Sequence, residues 1–221
     1  MELEHKITLR STTPLDTVWD LATTVDHHLT AGQIPGFTHR FRDPFQTWDF
    51  LNHLFQVTKP ESERGYISFI PTTTTTGNDR YMVKRKHFSR DAPARREQII
   101  PDVHIRGRLE TYIARTLGDV VARCLPTFRR VRYDNNVESL RTGNTFGVMF
   151  DRCHLIDRPS IALVQCEVEY VGTRSLAPPQ PQAIHAELGT LTAWIADLTA
   201  PHHDSAAPAH YSKLAWLTRQ T

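Results

Sequence analysis

The feature that most constrains the fold of this chain is a pair of acidic strand-like runs, one near each end. Glu2 and Glu4 alternate with other residues at the N-terminus, and Glu167 and Glu169 do so near the C-terminus. In a β-strand, residues i and i+2 project to the same face, so each run would place two carboxylates side by side. Like charges so placed repel unless something positive lies between them. The two runs therefore predict strands that share a divalent-cation site.

The N-terminal run also fits an ordinary strand with one buried face and one solvated face. Leu3 and Ile7 would then face a core, while Glu4 and Lys6 would face water. His5 falls on the apolar side, where we expect it to pack. For one strand taken alone this solvated interpretation is the more common one, so the cation-site prediction depends on similar patterns elsewhere in the chain.

Such patterns recur with the opposite charge in the middle of the chain. Lys84 and Lys86 share one face of a strand-like run, and Arg130 and Arg132 share one face of another. A third alternating run ends at Asp151. Acidic strands at both termini with basic strands between them fit a single site that holds a polyanion together with its metal ions.

The order of these motifs resembles the CYTH superfamily, the triphosphate tunnel metalloenzymes. The resemblance rests on Glu-x-Glu-x-Lys at the N-terminus, then Lys-x-Lys, Arg-x-Arg, the Asp151 strand and Glu-x-Glu, and a helical tail with Tyr211-Ser212-Lys213. It spans essentially the whole chain. It implies one tunnel domain over residues 1–221, with a C-terminal helical tail from about residue 183. The implied fold is α+β, an eight-stranded antiparallel β-barrel that forms a triphosphate tunnel, with flanking helices.

The resemblance also implies roles for individual residues. Arginine suits phosphate oxygens because its planar fork binds them bidentately, and Mg²⁺ or Mn²⁺ prefers carboxylate and phosphate oxygens. The implied phosphate-binding residues are Lys6, Lys84, Lys86, Arg130 and Arg132. The implied ligands of Mg²⁺ or Mn²⁺ are Glu2, Glu4, Asp151, Glu167 and Glu169, and the implied catalytic residues are Glu2, Glu4, Lys6 and Glu169.

The implied activity is metal-dependent hydrolysis of a triphosphate, since the superfamily includes tripolyphosphatases and thiamine triphosphatases. The substrate would be inorganic tripolyphosphate, thiamine triphosphate or a nucleoside triphosphate. Two alternatives stay open: a class IV-type adenylate cyclase that makes cyclic AMP and diphosphate, and a non-catalytic module that binds a triphosphate or nucleotide. The family's Arg-x-Arg pair after the first helix has no clear counterpart, because Arg40 and Arg42 are correctly spaced but lie earlier than expected.

Composition limits the compartment and the partners. The 221 residues suit one domain, and a formal net charge of +2 requires any basic patch to be local. We find neither an apolar run long enough to cross a bilayer nor a secretory leader, so we expect a cytoplasmic protein without a membrane partner. Isolated arginine pairs do not indicate nucleic-acid binding. We expect a small-molecule triphosphate substrate, and a monomer or homodimer.

Several local elements can also be predicted. Helices are expected over about residues 15–29, 183–198 and 211–217, and over 109–125 with a break at Gly118 as an alternative. Asn135-Asn136 is typical of a hairpin turn or bulge. The run 72–76 fits a strand or a loop, and 89–93 fits a loop. Three widely spaced cysteines predict small buried side chains in a reducing compartment: Cys124, Cys153 and Cys166.

Overall fold

The computed structural model describes residues 2–72, 80–87, 94–176, 178–208 and 211–221, without the side chains of residues 2 and 94–96. The loop expected over 89–93 and the threonine-rich run beyond Thr72 lie outside these residues. The described strands are β1 (Glu2–Leu9), β2 (Phe37–His39), β3 (Phe45–Lys59), β4 (Gly65–Pro71), β5 (Arg80–His87), β6 (Ala94–His104), β7 (Val121–Cys124), β8 (Phe128–Ser139), β9 (Asn144–Leu155) and β10 (Ala162–Thr173). The described α-helices are α1 (Leu15–Thr30), α2 (Leu109–Leu117), α3 (Pro181–Thr199) and α4 (Lys213–Thr218).

The ten strands form an antiparallel sheet in the order β2-β8-β9-β10-β1-β6-β5-β4-β3-β7. The long strand β3 pairs with three strands, β8, β4 and β7. Its residues 45–52 pair with β8 and its residues 53–57 pair with β4. The β3–β8 pairing brings strands from opposite ends of the sheet order together, so side chains from one face of six strands converge on a common interior.

The two acidic runs form neighbouring strands, as the sequence predicts. In the β1–β10 register, Glu4 lies opposite Glu169 and Lys6 lies opposite Glu167. Directly opposed residues of an antiparallel pair have Cβ atoms about 4.5–5.5 Å apart and project to the same face. The chain ends therefore meet at the interior, although 161 residues separate Lys6 from Glu167.

The opposite face of these strands carries the main apolar core. Helix α1 buries Val18 and Val25, and helix α3 buries Leu188 and Ile195, in one cluster with apolar residues of β1, β8, β9 and β10. Full burial of such side chains contributes about 1.5–3 kcal/mol each. His5 packs on this face, as expected, with Nδ1 3.1 Å from the Thr192 hydroxyl of α3.

The short helix α4 packs against one end of the interior. Leu214, Trp216 and Leu217 are buried in a cluster that includes Leu54 of β3 and Phe128 of β8. The rings of Trp216 and Phe128 meet edge to face with centroids 5.8 Å apart. This packing places the residues just before α4 and at its start beside the charged interior.

Two local predictions are wrong. Asn135 and Asn136 make no turn: they lie inside β8, where the buried Asn135 donates a hydrogen bond from Nδ2 to the backbone oxygen of Ala22, 3.0 Å away. The tertiary hydrogen bond overrides the local turn preference of paired asparagines. The third alternating run does not end at Asp151, because β9 continues to Leu155.

The segment 109–125 does not form one continuous helix, and the predicted alternative with a break at Gly118 is confirmed. Helix α2 ends at Leu117, and Gly118 has φ +69°, a conformation that favours glycine. The chain then enters β7, where Cys124 is exposed instead of buried. Cys153 and Cys166 are free and buried, as predicted.

None of the helices in the described ranges is both long and apolar enough to cross a membrane.

Candidate active site

A cavity inside the sheet collects charged side chains from strands that are distant in sequence. About 50 Å³ of it remains free, because long side chains extend into it from several directions. Its polar lining residues are Lys6, Asn52, Tyr66, Ser68, Lys84, Lys86, Arg130, Arg132, Glu167, Glu169, Ser212 and Lys213. The basic residues predicted to bind phosphate all lie here.

The charged face of β1 is buried. Glu4 is 2% exposed and the Lys6 side chain is 5% exposed. The Lys6 ammonium lies 2.8 Å from Glu4 Oε2 and 2.5 Å from Glu167 Oε1, so it bridges carboxylates of β1 and β10. Burial at this level excludes the solvated interpretation of the first strand. For the predicted metal ligand Glu2, the structure describes the backbone only.

The centre of the cavity is an ion cluster that joins β8, β9, β10 and the start of α4. Arg132 donates from Nε and Nη2 to the two oxygens of Asp151, both at 2.7 Å, and from Nη2 to Glu167 at 2.7 Å. The Lys213 ammonium lies 2.7 Å from Asp151 and 2.9 Å from Glu167. We call Asp151, Glu167, Arg132 and Lys213 the central cluster.

The central cluster keeps its members ionised despite their burial. Burial alone would raise the pKa of Asp151, but Arg132 and Lys213 lower that pKa below its ordinary range. Burial alone would also raise the pKa of Glu167. Lys213, Lys6 and Arg132 outweigh this effect, and together they hold the pKa of Glu167 well below its ordinary value. Burial would lower the pKa of Lys213, but the two carboxylates raise it. Each charge is therefore stabilised by the others.

A second ion group lies on β5 and β6. The Lys84 ammonium is 2.9 Å and the Lys86 ammonium 3.9 Å from Glu97, which lies opposite Lys86 in the β5–β6 register. Burial lowers the pKa of Lys84 even though Glu97 acts in the opposite direction. Arg85, between the two lysines, instead pairs with Glu63.

Arg130 connects the charges to an aromatic pair. Its Nη1 lies 4.0 Å from Asp151 Oδ2, and its guanidinium carbon lies 5.1 Å from the centroid of the Phe50 ring. Trp48 also stacks on Phe50, with centroids 5.5 Å apart and an interplanar angle of 12°.

The predicted metal ligands fall into two groups. Asp151 and Glu167 belong to the central cluster, where guanidinium and ammonium groups bind their oxygens. Glu4 and Glu169 face each other across the β1–β10 register. Lys6 already compensates Glu4 at 2.8 Å, so the opposition of the two carboxylates does not by itself require a cation. Carboxylate oxygens are ligands that Mg²⁺ and Mn²⁺ prefer, so the donor chemistry of Glu4 and Glu169 suits such an ion. Among the side chains that the structure describes, no group of three or more His, Cys, Asp or Glu residues is placed to hold one.

The sequence pattern assigns no site role to Lys213 of the cavity wall or to Glu97, which pairs with Lys84 and Lys86. Lys213 belongs to the tail motif, and its role depends on how α4 docks, which no local pattern encodes. For Glu97 a signal exists, because residues 95–100 fit a strand in which alternation directs Glu97 and Ile99 to one face.

Among the described residues of the cavity wall, the Arg-x-Arg pair of the CYTH superfamily has no counterpart. Asn52 and Leu54 of β3 line the cavity there, with Ser68 of β4. Arg40 pairs with Asp43 in the segment before β3 and does not line the cavity. This wall is therefore neutral.

Among known proteins, the chain matches solved structures but no family model. No protein-family model and no curated protein matches the chain. Two solved structures of the S. pombe Pct1 RNA triphosphatase, one free and one in complex with the Spt5 CTD, align with 90% of this chain and 80% of that chain at 13% identity. Their TM-scores are 0.36 and 0.35. A likeness at this level carries no argument about the activity of this chain.

Proposed function

We propose that this protein is a metal-dependent hydrolase that cleaves a triphosphate inside a charged tunnel. The observation that carries the proposal is the buried convergence of Lys6, Arg132 and Lys213 with Asp151 and Glu167. So many buried charges are costly, and they are retained where a charged ligand uses them. The order of acidic and basic strand motifs, which resembles the CYTH superfamily, supports the same conclusion.

The tunnel itself is part of the proposal. The β3–β8 pairing supports a closed path of eight strands, through β8, β9, β10, β1, β6, β5, β4 and β3. Residues on the inward face would then surround a bound phosphate chain. Exclusion of bulk water strengthens each interaction between a phosphate oxygen and a basic side chain.

To bind the phosphates, the basic residues would exchange their carboxylate partners for phosphate oxygens. Arg130 and Arg132 offer guanidinium forks, while Lys84 and Lys86 offer compact charges from the opposite side of the interior. Without a ligand, Glu97 compensates the two lysines. An entering triphosphate takes over this role because its oxygens carry more charge than a single carboxylate.

The carboxylates would divide into two tasks. Asp151 and Glu167 hold Arg132 and Lys213 in position, as their short contacts indicate. Glu4 and Glu169, with Glu2, would hold Mg²⁺ or Mn²⁺. When bound, the ion supplies charge compensation to phosphoryl oxygens and lowers the pKa of an attacking water. Phosphoryl transfer needs positioning and electrostatic stabilisation more than covalent participation, so this arrangement suffices.

Hydrolysis is favoured over cyclisation because it needs only a positioned water at the terminal phosphate. The test is incubation with ATP, thiamine triphosphate or tripolyphosphate in Mg²⁺ or Mn²⁺, followed by separation of the products. We expect orthophosphate release. Cyclic AMP and diphosphate from ATP would replace the hydrolase with a cyclase, and tight binding without turnover would replace it with a binding module.

A further inference from the structure

The aromatic pair Trp48–Phe50 lies outside the apolar cores. Both residues belong to β3, and neither joins any of the three buried apolar clusters of the described residues. Trp48 is 41% exposed. The near-parallel ring of Phe50 stacks against the indole, with centroids 5.5 Å apart. An exposed, pre-stacked indole does not contribute to the core in the way that buried aromatics do.

Strand register shows that the pair faces the interior. Trp48 lies opposite Arg132, and Phe50 lies opposite Arg130, in the β3–β8 pairing. Paired residues share a face, and both arginines line the cavity. Asn52, two residues further along the same face, also lines the cavity. The aromatic pair therefore continues the cavity wall toward solvent.

Arg130 couples the aromatic pair to the phosphate-binding charges. One side of its guanidinium is 4.0 Å from Asp151, and its central carbon is 5.1 Å from the Phe50 ring centroid. Guanidinium groups stack on aromatic rings while they donate hydrogen bonds in their own plane. A phosphate bound to Arg130 is thus placed next to the aromatic pair, and a substituent on that phosphate reaches the exposed indole.

We propose that Trp48, backed by Phe50, binds the planar aromatic heterocycle of an organic triphosphate, so that the preferred substrate carries such a ring and is not inorganic tripolyphosphate. The inference rests on the proposed function, whose substrate class it narrows. Stacking tolerates different ring systems because every heterocycle presents a π-face. A nucleobase and the pyrimidine ring of thiamine share this chemistry, and the experiment distinguishes them.

The outer face of the same molecule provides a contrast. Trp19 of α1 is also 41% exposed, but it meets Phe45 and Tyr133 edge to face, at 5.8 Å and 5.0 Å, and both of these rings pack against the main core. Its environment accounts for it fully as a packing residue. Trp48 instead stacks on Phe50, a ring that belongs to none of the three apolar clusters and that carries the Arg130 guanidinium. This arrangement offers an aromatic surface beside the charged cavity.

The test is calorimetric binding of ATP, thiamine triphosphate and tripolyphosphate to the wild-type chain and to Trp48 variants. Loss of one stacking partner should raise the Kd of the aromatic ligand about tenfold in Trp48→Ala and in Trp48→Leu. Tripolyphosphate should bind all variants equally, and Trp48→Phe should recover most of the affinity. The ligand with the larger Trp48 effect, ATP or thiamine triphosphate, identifies the source of the ring.

The matched control is Leu51→Ala, which removes a 38% exposed apolar side chain from the outward face of the same strand. It should change no Kd. An equal effect of Trp48→Ala on tripolyphosphate, or no effect on either organic ligand, would overturn the aromatic site. Phosphate release measured in parallel separates the two proposals: ligands that bind without being hydrolysed refute the hydrolase alone, and absence of binding by all three refutes both.

Discussion

At the level of single residues, the cavity contains buried charges that stabilise one another. Asp151 is fully buried, and its oxygens contact both Arg132 and Lys213. A buried ion pair adds little net stability compared with apolar packing, but removal of one partner leaves an uncompensated buried charge. Single substitutions in the central cluster should therefore be far more damaging than substitutions of exposed pairs.

Lys213→Met tests this directly, because methionine keeps an unbranched side chain and removes the ammonium. The free energy of unfolding should fall by about 3–5 kcal/mol in urea denaturation. Arg129→Met is the control, since Arg129 pairs with Asp49 on the exposed surface and should change stability little. Comparable losses in the two variants would show that the central cluster is not energetically special.

The same cluster predicts how stability depends on pH. The pKa of Asp151 and that of Glu167 are lower in the folded chain than in the unfolded chain, because Arg132, Lys213 and Lys6 offset the cost of burial. Such groups add stability that is present above their unfolded pKa and lost as the pH falls below it. The free energy of unfolding should therefore fall as the pH is lowered from about 5 to about 3. In Asp151→Asn this fall should be smaller, and an unchanged slope would refute the assignment.

The alternating sequence pattern predicts most of the charged residues in the cavity wall, but it does not predict Lys213. Alternation alone places Lys84 and Lys86 together and directs Arg85 away, as found. It could not assign Lys213 because that residue reaches the cavity from a helix whose docking is decided by the burial of Leu214 and Trp216. Tertiary packing, not local pattern, supplies this contact.

At the scale of the element, strand register decides which charges act on a ligand. Lys84→Ala should raise the KM for a triphosphate by about tenfold or more, because a buried ammonium no longer meets a phosphate oxygen. Arg85→Ala, one residue away and paired with Glu63, should leave KM nearly unchanged. Steady-state kinetics of the two variants check the register, and equal effects would contradict it.

Element boundaries were less predictable than strand faces. The pair Asn135-Asn136 favours a turn, yet β8 runs through it because Asn135 donates a buried hydrogen bond to Ala22 of α1. The hairpin turns between Ser139 and Asn144, where the run Thr142-Gly143-Asn144 also favours a turn and Gly143 has a φ of +71°. The hydrogen bond of the buried Asn135 side chain therefore outweighs the local turn preference of the asparagine pair, because an unsatisfied buried amide would cost about 1–3 kcal/mol.

Helix α4 offers a test at its N-terminus. Ser212 caps it by accepting a hydrogen bond from the Ala215 backbone nitrogen at 3.1 Å. Ser212→Ala should lower the free energy of unfolding by about 1 kcal/mol, and should lower activity because Lys213 follows directly. Ser212→Thr keeps the hydroxyl and should retain most of both. If alanine and threonine behave alike in denaturation and turnover, the cap does not position Lys213.

At the scale of the whole molecule, one sheet gathers charges from both chain ends into a common interior. β1 and β10 supply the acidic face, β5 and β8 supply the basic face, and α4 adds a lysine at one end. The predicted antiparallel architecture with flanking helices agrees with the described strands. The extra strands β2 and β7 and the neutral wall at Asn52 were not predictable, because the sequence there carries no alternating charge.

In the proposed function, Glu4 of β1 and Glu169 of β10 bind a divalent cation, and cleavage of the triphosphate requires this cation. The most direct measurement is phosphate release from a triphosphate in Mg²⁺ or Mn²⁺ by the wild type, Glu4→Gln and Glu169→Gln, each with and without chelator. Glu138→Gln is the control, because Glu138 is buried, as Glu4 is, but pairs with Arg174 away from the cavity. We expect chelator to abolish release, and the two site variants to lose on the order of a hundredfold in turnover while Glu138→Gln keeps it. Full turnover by Glu4→Gln and Glu169→Gln, or release that persists in chelator, would contradict the account.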